Sequence, residues 1–247
     1  MFDPKIAKDS IVQWIKDYFN KPEHVGSKAV IGISGGIDSS LNAALCVEAL
    51  GAENVVGVLL PNGNQYDIDD AYALVDHLGI KHYEINIKPT LDVFYKSLEE
   101  AGLSSNEVVY RNSPARMRTN FLYAVCAKIN GRLCNNGNLS EVYLGWRTKG
   151  ADTVGDFAPI KNYTKSEVIS IAKETNLLPR FINKIPEDGL SGKSDEENFG
   201  FTYELVDKFI RSGSIDDDVL MEKMLRMNAF GKHKEEPIPS APYEDAM

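Results

Sequence analysis

Four short apolar runs, at 29–33, 55–60, 82–87 and 132–136, are separated by longer stretches in which apolar residues return every three or four positions. Runs of that length read as strands, and the longer period reads as helix, here at about 39–51, 67–79, 90–102 and 113–130. Strands alternating with helices of this size predict βαβ units. The expected fold class is α/β, a Rossmann-like doubly wound parallel sheet flanked by helices. Right-handed crossovers bring the carboxyl ends of the strands to one edge, and a ligand binds there. Upstream, Asp3 caps a helix with Pro4 at its first position, and Ile11, Trp14, Ile15 and Tyr18 follow at helical spacing. Downstream, Val168, Ile169, Ile171 and Ala172 predict a helix over 164–175 with Thr164 as cap. Leu220, Met224 and Met227 predict another over 216–228. Residues 186–197 carry Gly, Ser and charge without apolar period, as a mobile lid or a plain linker does. The tail from 231 to 247 is polar and proline-rich, and no repeat divides the chain, so one domain over 1–247 is expected.

The first apolar run ends in Ser34-Gly-Gly-Ile-Asp-Ser39, after which a helical pattern begins. Adjacent glycines permit positive φ angles and a nest of inward-pointing N–H groups. The following helix aims its positive end at the same place, so the turn suits an anion, and phosphate above all. Ser34 and Ser39 add hydroxyls. Asp38 is out of place beside phosphate unless a divalent cation accompanies it. The spacing excludes a Walker A loop, which needs a lysine after its glycines, and Gly32, Gly35 and Gly36 do not fit G-x-G-x-x-G.

Composition narrows the classes. A net charge of −9 over 247 residues argues against broad binding to nucleic acid or an anionic membrane. No apolar run approaches a membrane span, and the start lacks a signal-peptide pattern, so the cytoplasm is expected. Cys46, Cys126 and Cys134 show no C-x-x-C spacing; Cys46 and Cys126 read as small core residues in a reducing compartment. The four histidines and three cysteines form no zinc arrangement.

The Ser-Gly-Gly-x-Asp-Ser turn after a strand resembles the pyrophosphate loop of the N-type ATP pyrophosphatases, whose fold is adenine nucleotide alpha hydrolase-like. Further segments sharpen the resemblance to the ammonia-dependent NAD synthetases. They are Leu60-Pro-Asn-Gly-Asn-Gln-Tyr-Asp-Ile-Asp-Asp-Ala71, Asn112-Ser-Pro-Ala-Arg-Met-Arg-Thr119, Gly137-Asn-Leu-Ser-Glu141, Gly145-Trp-Arg-Thr-Lys-Gly-Ala-Asp152, Asp156, Lys165, Ser194-Asp-Glu196 and His233-Lys234. Each is weak alone; their order along the chain is specific.

The resemblance implies ATP-dependent amidation of deamido-NAD by ammonia, giving NAD, AMP and pyrophosphate through an adenylated nicotinate. It implies Mg²⁺ on Asp38 and Glu141. It implies ATP on Gly32, Ile33, Ser34, Gly35, Gly36, Ile37, Asp38, Ser39, Gln65, Asn136, Lys165 and Glu187. Deamido-NAD falls to Arg118, Lys149, Asp156, His233 and Lys234, and catalysis to Asp38, Glu141, Lys149 and Lys165. A homodimer with the substrate site at its interface is also implied. Taken alone, Asp38 has a second reading as a helix cap, though the phosphate turn favours the metal; Glu141 reads as a solvated first-turn acid; and a surface lysine at Lys165 would be electrostatically unfavourable. Arg118 reads as a helix-surface ion pair, and His233-Lys234 as a disordered basic tail. Three positions depart from the family pattern: Leu59 where some members carry arginine, Glu187 where a hydroxyl is usual, and Asn135-Asn136 in place of Gly-Thr. The rival readings are another ATP pyrophosphatase, tRNA-modifying or GMP synthetase-like, and a non-catalytic nucleotide sensor.

Overall fold

A computed structural model of the chain describes residues 2–65, 68–184 and 194–242. Helix α1 (Pro4–Phe19) opens it, with the Asp3 carboxylate accepting from the Lys5 and Ile6 amides as expected of its cap. Then follow β1 (Lys28–Gly32), α2 (Ile37–Leu50), β2 (Val55–Leu59), α3 (Ile68–Leu78), β3 (Lys81–Glu84), α4 (Lys88–Glu100), α5 (Glu107–Ile129) and β4 (Gly131–Leu133). The remainder is helical: α6 (Leu139–Leu144), α7 (Lys165–Ala172), α8 (Pro179–Ile182), α9 (Asp195–Phe199), α10 (Tyr203–Ser212) and α11 (Asp218–Gly231).

All four strands are parallel, in the order β3-β2-β1-β4. The chain steps outward from β1 to β3, then returns past β1 to place β4 on its far side. A right-handed crossover that reverses direction must cross the opposite face, which is why two cores form. Ile31, Leu41, Leu45, Leu59, Leu74, Val168 and Phe181 fill the core shared by α1, α2, α3, α7 and α8. Val30, Val58, Leu91, Cys126 and Leu133 fill the other, under α4 and α5. β1 and β4 diverge in their onward connections, so a crevice opens at their carboxyl ends.

A third cluster, led by Leu144, Phe199, Phe201, Val206, Phe209 and Met224, joins α6, α9, α10 and α11 beside that crevice. α10, which is not among the expected elements, carries Tyr203, Val206, Phe209 and Ile210 as a regular helical stripe turned into this cluster. β3 and β4 end at Glu84 and Leu133, short of the expected 87 and 136, and two helix boundaries differ for local reasons. α5 begins at Glu107, capped by Asn106, and runs on through Pro114, whose missing N–H suggested a start near 113. Ser194 to Glu197, expected in a loop, form a capping box and the first turn of α9; the rest of 186–197 up to 193 lies outside the described residues.

Candidate active site

The chain leaves β1 at Gly32 and turns through Ser34-Gly35-Gly36 into α2. Only Gly35 takes a positive φ, +75°. Gly36 is extended at φ −76° and is itself the N-cap of α2, so the nest of two left-handed glycines anticipated from sequence is a single one. A Cβ at Gly35 would lie 2.8 Å from the Asp70 Cβ, so α3 closes against this turn. The hydroxyls of Ser34 and Ser39 lie 3.2 Å apart, and Ser39 and Ser40 donate to the Gly36 carbonyl at 3.1 and 2.8 Å. Those bonds fix the turn with the α2 amide end open toward the crevice. Ile33 and Ile37 are buried and hold the turn to the core; Ile33 N–H donates to Val58 O at 2.9 Å.

Asp38 does not cap α2. Its carboxylate accepts from the Lys165 Nζ at 2.5 Å and from the Asn138 Nδ2 at 3.0 Å. Asn138 Nδ2 also donates to Glu141 Oε1 at 2.8 Å, and Lys165 Nζ lies 3.6 Å from the same oxygen. Asn138 is the N-cap of α6 and Glu141 its third residue, a capping box that fixes both side chains. Lys165, the first residue of α7, is only 2% exposed, which rules out a surface lysine. Its ammonium also stands 5.2 Å over the Tyr203 ring, whose hydroxyl donates to Asp195 at 2.8 Å. Burial opposes the charge on Lys165, but Asp38 and Glu141 outweigh it and keep the amine well above the ordinary lysine range. Burial, then the negative charge of Asp38, pushes the Glu141 carboxyl up to about 8. Burial and Asp38 thus both oppose a second negative charge at Glu141, with Lys165 the chief counterweight.

A cation beside the two acids would relieve that opposition and favour both as carboxylates. Two hard carboxylates converge on one point, which suits Mg²⁺. Among the described residues no group of three or more His, Cys, Asp or Glu is placed to hold a metal. Two protein oxygens would therefore need phosphate and water to complete the shell. The residues fit a cation that arrives with a nucleotide.

The other expected residues separate into groups. Asn136 Nδ2 donates to Gly32 O at 2.9 Å and its Oδ1 accepts from Asn42 at 3.0 Å, so it ties β4 to β1 under the phosphate turn. Gln65 lines a hollow of about 370 Å³ at the ends of β2 and β3, with Pro61, Tyr72 and Glu84. Arg118 donates through Nε to Leu60 O at 3.0 Å, at the end of β2. Lys149 Nζ donates to His233 O at 3.0 Å and Lys234 Nζ to Gly145 O at 2.7 Å, so the tail is an ordered 3-10 turn, not a disordered basic end. Asp156 accepts from Leu133 N–H at 2.7 Å and lines a separate hollow with Trp14 and Tyr18. Glu187 lies outside the described residues.

The NAD synthase family model matches residues 7–238. The chain belongs to the NAD synthase family. NH(3)-dependent NAD(+) synthetases are 36% identical in Pyrococcus horikoshii and 37% in Thermococcus kodakarensis, over 82% and 84% of this chain and 77% and 80% of theirs. Among solved structures, an NMN synthetase from Francisella tularensis superposes with a TM-score of 0.90 at 30% identity, covering 98% of this chain and 100% of that one. An NH3-dependent NAD synthetase from Campylobacter jejuni superposes at 0.78 and 29% identity, with the same coverage.

Family membership does not favour the tRNA-modifying, GMP synthetase-like and sensor readings. Several residues of this family member's site escape sequence reasoning. Asn138 was legible, since Asn followed three residues later by Glu marks a helix start. Arg147, Tyr203 and Asp207 were not, because their partners are distant in sequence. Asp207 shows the difficulty: it accepts from Ser140 at 2.5 Å and from Ser166 N–H at 2.7 Å, locking α6 to α7.

Proposed function

We propose that the chain, a carbon–nitrogen ligase, converts deamido-NAD, ATP and ammonia to NAD, AMP and pyrophosphate. The observation that carries the reading is the convergence of Asp38, Glu141 and Lys165 beside the open amide end of α2, in a chain of this family. The nicotinate carboxylate attacks the α-phosphorus of ATP and pyrophosphate leaves. Ammonia then attacks the carbonyl carbon, and AMP departs with the oxygen that bridged carbon and phosphorus. A free carboxylate would have to expel oxide, and the anhydride replaces that with a good leaving group.

This chain's residues position the triphosphate and balance its charge. The turn 34–39 receives the β and γ phosphates at the α2 amides, and Lys165 supplies a fixed positive charge against them. Mg²⁺ bound by Asp38 and Glu141 would neutralise charge developing on the departing pyrophosphate. Lys149, His233 and Lys234, gathered at the crevice margin, bind the pyridine nucleotide together with Arg118 and Asp156. Gln65, Asn136 and Glu187 belong to the ATP side.

We further propose a cytoplasmic homodimer. α5 buries only Ser113, Pro114 and Cys126, while Val108, Tyr110 and Tyr123 stay exposed, an apolar face suited to a second copy. Among the described residues no helix is long and apolar enough to cross a membrane.

A second reading rests on the TM-score of 0.90 against an NMN synthetase, compared with 0.78 for a NAD synthetase. Nicotinate mononucleotide presents the same carboxylate and lacks only the adenylyl half. Assays with ATP, Mg²⁺, ammonium and each pyridine nucleotide separate the two. The primary reading predicts higher kcat/KM on deamido-NAD; preference for the mononucleotide would transfer the assignment, and no amide from either would defeat both.

A further inference from the structure

Arg147 is a buried arginine that hydrogen-bonds neither the phosphate turn nor the acid pair, although its charge also favours the Glu141 carboxylate. Its side chain is 1% exposed. Nη1 contacts Glu235 Oε1 at 2.7 Å, and Nη2 donates to Asn135 Oδ1 at 2.9 Å. The same Asn135 oxygen accepts from Gly137 N–H at 3.0 Å, and its amide nitrogen donates to Asp152 O and Val154 O at 2.8 and 2.7 Å. Asn135 is thus the anchor of the chain as it leaves β4, one residue before Asn136. The guanidinium lies so close over Gly137 that a Cβ there would meet Arg147 Cζ at 2.8 Å.

Glu235 immediately follows His233 and Lys234. Its second oxygen takes Lys161 Nζ at 2.9 Å. The same tail is joined to 145–149 at three more points: Lys234 Nζ on Gly145 O, Lys149 Nζ on His233 O, and a backbone approach in which a Cβ on Gly145 would lie 2.4 Å from Gly231 Cα. Burying a guanidinium is costly unless its partners are fixed, and a planar fork can hold two anchors at a set separation. Here one anchor is the floor of the crevice and the other is the tail.

We infer that Arg147 and Glu235 are positioning residues that set His233 and Lys234 against the β4 end of the crevice, so that the pyridine nucleotide is bound at a fixed distance from the triphosphate. This role rests on the functional reading above. Neither residue touches the reacting atoms; each acts through the tail.

Steady-state kinetics on the full chain test it with Glu235→Gln, Arg147→Met, Arg147→Lys and the double variant Arg147→Met/Glu235→Gln. Glu235→Gln is nearly isosteric and keeps its shape in the tail. The expected result is a rise in KM for the pyridine nucleotide on the order of tenfold or more, as for loss of a charge-assisted bond, with KM for ATP within twofold. Arg147→Lys retains the charge facing Glu235 and recovers part of that rise, and the double variant is no worse than Arg147→Met because the pair acts as one unit. Hydrogen exchange at the amides of 232–235 reads the tether without turnover and should quicken in Glu235→Gln. Unchanged exchange there, an unchanged pyridine-nucleotide KM, or equal rises in both KM values would overturn the inference. Wild-type protein that amidates no pyridine nucleotide would instead overturn the functional reading and the positioning role with it.

Discussion

Lys165 shows how far a single position departs from its surface expectation. A lysine at a helix N-terminus is electrostatically unfavourable, yet this one is buried against Asp38 and beside Glu141. The resemblance supplied all three residues, and spacing alone could not, because they come from α2, α6 and α7. Asp38→Asn keeps the shape and removes the charge that both Lys165 and a cation need. Its kcat is expected to fall at least ~100-fold with the fold retained, by circular dichroism and kinetics. Near-normal kcat would remove Asp38 from the chemistry. Asp38→Ala is the poorer probe, since it strands a buried ammonium as well.

At the scale of elements, the strand–turn–helix unit was readable because the apolar run 29–33 ends in Ser34-Gly35-Gly36 before a helical pattern; the structure adds that Gly35 occupies a turn where α3 leaves no room for a side chain. The contact that closes α3 over that turn was less legible. Asp70 is paired with Arg180 at 2.6 Å and Lys184 at 3.0 Å, across from α8. The Arg180 hydrogen bond, against some burial and with help from Lys184, holds the Asp70 carboxyl below the ordinary carboxylate range. A depressed folded value contributes stability above the unfolded pKa of about 3.9 and loses it as pH falls through the folded one. Asp70→Asn should therefore be less stable than wild type at pH 7, by at most ~1 kcal/mol because the pair is partly exposed. Denaturant titrations at pH 7 and at progressively lower pH check this, and a gap that failed to narrow as the carboxylates are protonated would contradict it. α10 was as legible as any helix: Tyr203, Val206, Phe209 and Ile210 recur at helical spacing within its own ten residues, and that face packs beside Leu144 and Met224.

At the scale of the molecule, the order β3-β2-β1-β4 follows from right-handed crossovers and puts the phosphate turn at the switch point, as the alternation of elements implied. The proposed dimer would cover the exposed face of α5. Light scattering on the purified protein should give about twice the 27.4 kDa chain mass; a monomer at working concentration would refute the dimer. The account as a whole turns on adenylation of the nicotinate carboxylate at the turn after β1. The most direct measurement supplies deamido-NAD with both carboxylate oxygens labelled as ¹⁸O and follows the label by mass spectrometry. One labelled oxygen is predicted in the phosphate of AMP and the other in the NAD amide. AMP released without label while NAD forms would contradict it.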